Sequence, residues 1–379
     1  MSNFEEFKVN LEYHFSEILE HPIAKPYWIY ISLSHNCTYN CQMCAVVKIL
    51  KGYELPTEVV RHTLDEISQW NRDCVIMFTG GEAFLRDDIF ELIDYSAGKN
   101  LKTEVVSNGS LIGEELAQKI IVSKLNNIAI SLDAARESTH DRIREKGSFK
   151  KTINAIENLT RIKKKIGNGP QISVWTTIMK ENVRELFDIV EIAKDLGVEC
   201  LVYHPVIVAQ DDMQNTSPNA PFWIRGENLN ILKEQIDKIT DYQTKHGLVS
   251  FSHDPYLWLE HFEKGVAKKD WKCNPFVFIN IGPDGEVRSC GSSFGNIKET
   301  SLETCLNTKE ANEARKLMKV CQKPCLQTCW AHPESDSLMH IANNFLNKVR
   351  KDNKNNKKKI LKRGFDLLCE YQEILRNHE

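Results

Sequence analysis

The sequence lacks any apolar run close to the roughly 20 residues that a membrane-spanning helix needs. Its start, Met-Ser-Asn-Phe-Glu-Glu-Phe-Lys, lacks the basic and then apolar segments of a secretory signal peptide. No charge of one sign dominates, because 49 Lys and Arg nearly balance 52 Asp and Glu for a net charge of −3. These absences exclude an acidic disordered protein and a protein that coats nucleic acid with its whole surface. We therefore expect a globular cytoplasmic protein without a transmembrane segment.

Cysteine, in contrast, is abundant, with 12 residues in 379. A long chain without a signal peptide is a poor candidate for a disulfide scaffold, so we expect metal ligands, catalytic thiols or buried side chains. One group, Cys37, Cys41 and Cys44, has the spacing C-x3-C-x2-C. A second group, Cys321, Cys325 and Cys329, has the spacing C-x3-C-x3-C and follows Cys273 and Cys290. The scattered cysteines, Cys74, Cys200, Cys305 and Cys369, are predicted to be small buried side chains.

The first group favours an iron–sulfur cluster. Three thiolates within eight residues are too few for a closed tetrahedral zinc site. They suit a cubane cluster with one iron left open, because closely spaced cysteines of one loop reach adjacent corners of the cube. The alternative is a zinc knuckle that His35 or a remote residue completes.

Short β-rich runs alternate with helical patterns between Trp28 and Pro205, which predicts an α/β fold with a parallel sheet. The predicted strands are Trp28–Leu33, Val75–Phe78, Thr103–Val106, Asn127–Leu132, Ile172–Ile178 and Cys200–His204. The helical patterns between them lie near 57–70, 87–98, 113–124, 150–166 and 182–196.

Polar and glycine-rich residues follow the strands where chemistry gathers in such sheets, at their carboxyl ends. The cysteine loop follows the first strand, Thr79-Gly80-Gly81-Glu82 the second, Ser107-Asn108-Gly109 the third and Asp133 the fourth. Tyr203 and His204 end the sixth strand, where a substrate would lie, although such residues are more often core or lid residues. These ends converge on one mouth.

Three further segments are predicted outside this sheet. Apolar residues at helical spacing predict an amphipathic helix over 4–19, and a second helix is predicted over 227–246. Residues 273–290 predict a hairpin around the turn Gly282-Pro-Asp-Gly285, with Cys273 and Cys290 at its two ends. Residues 346–364 hold nine Lys and Arg against one Asp, a local charge of +8 that we read as a solvated helix or linker before a terminal helix over 365–375.

The cysteine loop after a first strand, followed by Gly80-Gly81-Glu82 after the second, resembles the radical S-adenosylmethionine (SAM) superfamily. Cys273, Gly285 and Cys290, followed by Cys321, Cys325 and Cys329, resemble the SPASM/twitch extension of that superfamily, which binds auxiliary iron–sulfur clusters. The resemblance implies a partial (β/α)6 TIM-like barrel with a small α+β extension. The expected segments are an N-terminal helix (1–24), the barrel with a following helix (25–250), the cluster-binding extension (251–335) and a basic helical tail (336–379).

The resemblance also implies the cofactors and their ligands. Cys37, Cys41 and Cys44 would hold a [4Fe–4S] cluster whose open iron binds SAM, and reductive cleavage of SAM would give a 5′-deoxyadenosyl radical. Gly80 and Gly81 would let the backbone approach the methionine part of SAM, and Glu82 would accept a hydrogen bond from its ammonium group. The other expected SAM contacts are Met43, Ser107, Asn108, Ser131, Asp133 and Arg144. The alternatives are that Asp133 caps a helix and that Arg144 forms a surface ion pair.

Two departures from the family pattern shape the expectation. Met43 stands where many relatives have an aromatic residue against adenine, and a thioether can pack against the ring instead. Five cysteines stand where a two-cluster extension has seven, which favours one auxiliary cluster, expected to be [4Fe–4S]. Cys273 and Cys290 are expected to bind it together with two of Cys321, Cys325 and Cys329.

The leading hypothesis is therefore a radical SAM enzyme of oxidoreductase type that acts on a small-molecule or sugar-derived substrate, with flavodoxin or ferredoxin as electron donor. A maturase of ribosomal peptides is the alternative, and the short segment before Cys37 counts against a leader-binding domain there. A non-enzymatic zinc-stabilised module whose basic tail contacts nucleic acid is a further alternative, although a nucleic-acid partner is not expected.

Overall fold

The computed structural model describes residues 3–44, 46, 52–70, 74–206, 221–250, 254–264, 271–273, 275–320, 326, 331–333, 338–350 and 354–376. Its helices are α1 Asn3–Leu19, α2 Thr57–Ser68, α3 Ile89–Gly98, α4 Glu114–Val122, α5 Glu137–Ile143, α6 Ser148–Ile166, α7 Leu186–Asp195, α8 Glu227–His246, α9 Leu257–Lys264, α10 Leu302–Asn307, α11 Lys309–Lys319, α12 Leu338–Arg350 and α13 Lys354–Arg376. Its strands are β1 Trp28–Ser34, β2 Val75–Gly80, β3 Lys102–Ser107, β4 Asn127–Ser131, β5 Gln171–Ile178, β6 Cys200–Pro205, β7 Val249–Ser250, β8 Trp271–Cys273, β9 Phe278–Ile281, β10 Glu286–Ser289, β11 Ser292–Asn296 and β12 Ala331–Pro333.

The six predicted strands form a parallel sheet in chain order, from β1 to β6. β1 does not close onto β6, because β9 pairs with the free edge of β1 and β7 pairs with the free edge of β6. The α/β prediction with a partial TIM-like barrel is therefore confirmed. All six strands run the same way, so their carboxyl ends meet at one mouth.

The strands form where alternate residues are apolar and pack against the surrounding helices. Ile29, Ile31 and Leu33 of β1 are fully buried in the main core, as are Val174 and Ile178 of β5. Burial of side chains like these contributes roughly 1.5–3 kcal/mol each. These apolar contacts hold the strands in place relative to one another. The residues at their carboxyl ends are positioned as a result.

The predicted hairpin is present as β9 and β10, joined by the turn at Gly282–Gly285. Gly285 has φ +90°, a conformation that favours glycine, and its amide donates to the Gly282 carbonyl at 2.9 Å. β9 lies parallel to β1, with Trp28 opposite Phe278. β11 adds a strand beyond β10, so the C-terminal extension continues the sheet of the barrel.

The two ends of the chain pack together. Phe7 and Phe15 of α1 stack on Phe345 of α12 and Tyr371 of α13, with ring centroids 4.1 and 4.7 Å apart. The predicted helix over 4–19 is thus confirmed as α1. The terminal helix begins earlier than predicted, at Lys354, so part of the basic segment is helical. No described helix is long and apolar enough to cross a membrane.

Candidate active site

The cysteine loop leaves the mouth-side end of β1 and is closed at its base by backbone hydrogen bonds. The Leu55 amide donates to the Leu33 carbonyl at 2.9 Å, and the His35 amide donates to the Tyr53 carbonyl at 3.3 Å. Farther along, the Gln42 amide donates to the carbonyl of Ile143, the last residue of α5, at 2.9 Å. The loop is therefore held at both its base and its middle.

The three clustered thiols lie together at the top of β1. Cys37 Sγ accepts hydrogen bonds from the Tyr39 amide at 3.5 Å and from Asn108 Nδ2 at 3.6 Å. Burial raises the pKa of Cys37, and burial raises the pKa of Cys41 to about 11, with Arg144 opposing the second rise. Both pKa values are also raised by the charge of Cys44, which shows that the thiols are near neighbours.

The three thiols of the cysteine loop suit an iron–sulfur cluster by number and type. Three thiolates leave one iron of a cubane open, whereas a closed zinc site needs four ligands. The donor set of soft thiolates is the set that iron–sulfur clusters require.

Gly80, the last residue of β2, and Gly81 let that strand end contact the cysteine loop. A Cβ on Gly81 would lie 2.0 Å from the Asn36 carbonyl oxygen and 3.0 Å from Cys37 Cβ. A Cβ on Gly80, whose φ is +130°, would lie 2.1 Å from the Ser34 carbonyl oxygen. The Gly81 amide donates to that same oxygen at 2.8 Å. Close approach at this turn therefore requires glycine twice.

Glu82 joins the ends of β2 and β3. Its side chain is buried, and it accepts hydrogen bonds from Ser107 Oγ at 2.9 Å, the Asn108 amide at 2.8 Å and the Phe84 amide at 3.3 Å. Burial raises the pKa of Glu82, and these donors oppose the rise. Asn108 in turn donates to Thr38 Oγ1 at 3.0 Å, beside Cys37. The predicted residues Glu82, Ser107 and Asn108 are thus brought into one network with the cysteine loop.

Asp133 and Arg144 form a buried ion pair at the ends of β4 and α5. Arg144 Nε lies 2.7 Å from Asp133 Oδ2, and Asp133 Oδ1 accepts from the Thr177 amide at 2.8 Å. The two alternatives for these residues are therefore wrong: α5 begins at Glu137 with Arg136 before it, and the Arg144 side chain is only 9% exposed. Burial disfavours the charge of Arg144, yet Asp133 and Cys41 hold its pKa above its usual range.

The remaining predicted SAM contacts flank this centre. Ser131 ends β4 and is partly exposed, opposite Trp175 of β5. Met43 is partly buried and packs against the main core. That any of these side chains contacts SAM stays a prediction. Tyr203, in contrast, faces the helices: it is buried and its hydroxyl donates to the Leu186 carbonyl at 2.5 Å, which makes it a core residue.

Tyr39 belongs to this centre and was missed by sequence reasoning. Its hydroxyl is buried beside the thiols and has no hydrogen-bond partner among the described residues. Burial raises the pKa of Tyr39 to about 12, with Arg144 opposing the rise and Cys41 adding to it. A buried polar atom without a partner is costly, so an unfilled hydrogen bond here fits a site built for a polar cofactor.

Arg86 was also missed, and it clamps the base of the cysteine loop. Its side chain is buried, and Nη1 donates to the Leu55 carbonyl at 2.7 Å and the Leu33 carbonyl at 3.4 Å. Nη2 and Nε bind the two carboxylate oxygens of Asp88 at 2.6 and 2.8 Å. An arginine so close behind Gly80-Gly81-Glu82 was the available sequence signal.

The auxiliary cysteines are described only in part. Cys290 lies in the turn between β10 and β11 with φ +50°, followed by Gly291 with φ +81°. Cys273 ends β8, with Ala331 of β12 opposite it. Cys321, Cys325 and Cys329 lie outside the described residues. Cys74 and Cys305 are buried as predicted. Cys200 is only partly buried, because it begins β6 at the end of the sheet, and the prediction is wrong for Cys369, which is exposed on α13.

Two protein-family models match the chain, one over the barrel with its cysteine loop and one over the C-terminal extension. Residues 31–186 match the radical SAM superfamily, and residues 273–330 match SPASM, an iron–sulfur cluster-binding domain. The chain therefore contains a radical SAM domain and a SPASM domain. The two domains imply [4Fe–4S] clusters and SAM as cofactors, and the donor set and the orphaned hydroxyl of Tyr39 fit them.

Individual relatives are distant. The chain is 31% identical over 175 residues to an AdoMet-dependent heme synthase of Methanosarcina barkeri, which covers 45% of the chain and 48% of that relative. It is 27% identical over 290 residues to the antilisterial bacteriocin subtilosin biosynthesis protein AlbA of Bacillus subtilis, which covers 73% of the chain and 58% of that relative. The chain thus spans about half the length of these relatives.

A solved structure, Streptococcus suis SuiB bound to S-adenosylmethionine, superposes with a TM-score of 0.62 over 79% of this chain and 73% of that one. The two share 14% identity, so this likeness speaks for the fold.

Proposed function

We propose that the protein is an enzyme that cleaves SAM reductively at the mouth of the barrel and abstracts hydrogen from a substrate bound there. The observation that supports this most directly is the convergence of the cysteine loop, the Gly80–Gly81 turn and the Glu82 network in one buried centre. When bound, the cluster and SAM supply an electron transfer that breaks a C–S bond and yields a 5′-deoxyadenosyl radical.

The residues of the chain hold and orient these groups. Cys37, Cys41 and Cys44 are the proposed cluster ligands, and Arg144 lies near Cys41, where its charge favours the thiolate. The glycine turn brings backbone atoms against the cysteine loop, which leaves room for a ligand beside it. Glu82 is fixed by three donors and keeps its carboxylate at the strand ends. Cys41 and Glu82 are buried, whereas Cys37 and Cys44 are partly exposed, so this centre is closed on the barrel side and open to a ligand on the other.

The second cluster is proposed to lie in the SPASM domain. Cys290 lies in the turn between β10 and β11, two strands that continue the barrel sheet, so an auxiliary cluster bound there would have a fixed place relative to the mouth. Cys273 and two of Cys321, Cys325 and Cys329 complete the proposed ligand set. This cluster would accept an electron from the substrate, pass one inward or shape the pocket.

The substrate class is also a proposal. The sequence favoured a small-molecule or sugar-derived substrate. The match to AlbA, a bacteriocin biosynthesis protein, is much longer than the radical SAM domain alone, whereas the heme synthase match is little longer than that domain. Similarity that extends beyond the radical SAM domain favours a peptide substrate, with a small molecule as the second candidate.

The proposal is tested by metal analysis and electron paramagnetic resonance on anaerobically reconstituted protein. We expect about eight irons per chain, since two cubane clusters hold four each, and a reduced-cluster signal that changes when SAM is added. Cys44→Ala should lose the SAM-dependent change, whereas Cys290→Ala should keep it and lose the second signal. An iron-free protein with stoichiometric zinc would overturn the proposal and favour the zinc-stabilised module.

A further inference from the structure

The inner faces of β5 and β6 are more accessible than their outer faces. Val174 of β5 and Leu201 of β6 are fully buried against the helices, whereas their neighbours Trp175 and Val202 are partly exposed. Successive side chains of a strand point to opposite faces, so Trp175 and Val202 face the lumen of the barrel. A complete TIM barrel fills this lumen with packed aliphatic layers. Here the lumen is packed at Met77 and Ala129, which are buried, and accessible beside Glu104, Trp175 and Val202, which are partly exposed.

Side-chain contacts confirm which residues share the lumen. The rings of Trp175 and His204 lie 5.1 Å apart, between β5 and β6. Nearer the amino ends of the strands, Asn127 Nδ2 of β4 donates to Glu104 Oε2 of β3 at 3.2 Å. Ser173 Oγ of β5 donates to Asn127 Oδ1 at 3.0 Å. Aromatic rings therefore line one wall, and a polar cluster lies below them.

Glu104 is the unusual member of this cluster. Burial raises its pKa, and the one hydrogen bond that opposes the rise comes from Asn127. Among the described residues no Lys or Arg forms a salt bridge with its carboxylate. Glu104 is partly exposed. A carboxylate that is partly removed from water and lacks a cation is stabilised by an ammonium or guanidinium group that approaches it.

We propose that the lumen is a substrate pocket in which the Glu104 carboxylate binds an amine or guanidinium group of the substrate. Glu104 precedes Ser107 at the mouth by three residues, which is roughly 10 Å along the strand. A substrate anchored there would extend past Trp175 and His204 and present its reacting carbon at the strand ends. The inference rests on the proposed function, because it deepens the account of the same site.

Cys200 supplies a probe inside the lumen. It starts β6, shares the lumen face with Val202 and is partly buried. Burial raises the pKa of its thiol, and the charge of Glu104 adds to the rise. In the sheet Cys200 pairs with Ser173, whose hydroxyl binds Asn127, the hydrogen-bond partner of Glu104. A methanethiosulfonate reagent converts such a thiol to a mixed disulfide and releases methanesulfinate, so the charge of the reagent reports the charge of the pocket.

The experiment compares the cationic 2-aminoethyl and the anionic 2-sulfonatoethyl methanethiosulfonates on the reconstituted, SAM-bound protein. Cys369→Ser removes the exposed thiol, and peptide mass spectrometry measures the rate at which each reagent modifies Cys200. Each rate is then divided by the rate at which the same reagent modifies 2-mercaptoethanol in solution. We expect the cationic reagent to be favoured about tenfold and the preference to fall to about one in Glu104→Gln. The ratio of the cationic to the anionic rate is compared because Glu104→Gln also changes the fraction of Cys200 that is thiolate. That change affects both reagents equally and leaves their ratio unaltered.

A variant with a blocked lumen tests whether the reagents reach Cys200 from the mouth or from the amino-terminal end of the barrel. Val202→Trp fills the lumen between Cys200 and His204, so both reagents should react several times more slowly. An unchanged rate in that variant would overturn the inference, and so would the absence of any Cys200 modification in the protein without this substitution. A charge preference that survives Glu104→Gln would show that Glu104 is only a partner of Asn127.

Protection by model ligands identifies the source of the cationic group. N-acetyl-lysine methylamide should slow Cys200 modification, whereas the norleucine analogue, which lacks the ammonium group, should not. Equal protection by both compounds would contradict the inference. Protection by n-butylammonium as strong as by the lysine compound would assign the pocket to a free amine rather than to a peptide. Iron content and the SAM-dependent signal, measured in parallel, report separately on the proposed function.

Discussion

At the scale of single residues, the candidate site is held by buried charges that pair with backbone atoms as well as with each other. Arg86 binds two carbonyl groups that stand 53 and 31 residues before it, one at each end of the cysteine loop. Asp133 binds both the Thr177 amide and Arg144. Such residues position the ligands of a cofactor without contacting it.

Replacing Arg86 should loosen the cysteine loop. In Arg86→Met the carbonyls of Leu33 and Leu55 lose a donor and the Asp88 carboxylate loses its cation, which costs about 3–5 kcal/mol of stability. We expect a chelator to remove iron from the radical SAM cluster at least several times faster. The measurement is the rate of iron release, with the SAM-dependent signal as the marker of that cluster.

Arg315 gives a matched control, because it is equally buried but lies in the SPASM domain. Its guanidinium donates to the Leu306 carbonyl at 2.8 Å and stands 4.9 Å from the centroid of the Phe294 ring. Arg315→Met should lower stability while the loop cluster keeps its iron. Equal iron loss in both variants would show that Arg86 acts only through general stability.

His140 should make stability depend on pH. Burial lowers its pKa to about 4, and the charge of Arg144 adds to the effect. The folded protein thus favours neutral His140, so stability is full above the unfolded pKa near 6.5 and falls as pH drops toward 4. Between pH 7.5 and 5.5 we expect a loss of about 1.4 kcal/mol in urea unfolding. His140→Gln should remove this part of the slope; an unchanged slope would contradict the assignment.

Residue types at strand ends could be predicted from the sequence, but their partners could not. Glu82 and Asp133 stand directly after apolar runs, which is a local pattern. Arg86 and Tyr39 act through contacts that form only when the cysteine loop folds back over β1 and β2. No periodic pattern in the loop sequence indicates that the loop folds back over these strands, so both residues were missed.

At the scale of elements, the turn after β2 decides how the site is assembled. Gly80 and Gly81 bring this strand end within hydrogen-bond distance of residues 34–36, and the Glu82 amide donates to the Asn36 carbonyl at 2.8 Å. A side chain at either position would push the cysteine loop away from the Glu82 network.

Gly81→Ala should therefore destroy the site. Its φ is not positive, so the effect is steric: the new Cβ would lie 2.0 Å from the Asn36 carbonyl oxygen. We expect a loss of several kcal/mol and failure to reconstitute the SAM-responsive cluster. Gly98→Ala is the control, because Gly98 ends α3 with open space around it and should gain about 0.5–1 kcal/mol. Normal reconstitution of Gly81→Ala would contradict the close approach.

The six barrel strands were predictable because each alternates with a helix and carries its own apolar pattern. The short strands β7, β8, β11 and β12 have two to five residues and were missed, since so few residues carry no period. The pairing of β9 with β1 joins segments about 250 residues apart, and nothing in either segment's pattern selects that partner.

At the scale of the whole molecule, the ends of the chain form a common apolar cluster. It contains Phe7, Leu11 and Phe15 of α1 together with Ile341, Phe345 and Val349 of α12 and Tyr371 of α13. α1 directly precedes β1, and the Tyr27 and Trp28 amides donate to the Val277 carbonyl of the extension. Tyr13 of α1 packs against Phe276 and Val277, so α1 also adjoins the SPASM domain.

Phe345→Ala should destabilise this cluster by about 3–5 kcal/mol, because it removes a buried ring that stacks on Phe7. Phe365→Ala is the matched control: its ring is 67% exposed, and the change should stay within about 0.5 kcal/mol. Urea unfolding followed by circular dichroism measures both. Equal effects of the two substitutions would contradict the packing of α12 on α1.

The measurement that tests the central claim most directly is the formation of 5′-deoxyadenosine from SAM by the reduced, reconstituted protein. We predict that the wild-type protein forms it, that Cys41→Ala abolishes it, and that Cys74→Ala, which changes a buried cysteine outside the cluster loop, leaves it largely intact. Formation of 5′-deoxyadenosine by Cys41→Ala at the wild-type rate would contradict the assignment of this loop as the site of SAM cleavage.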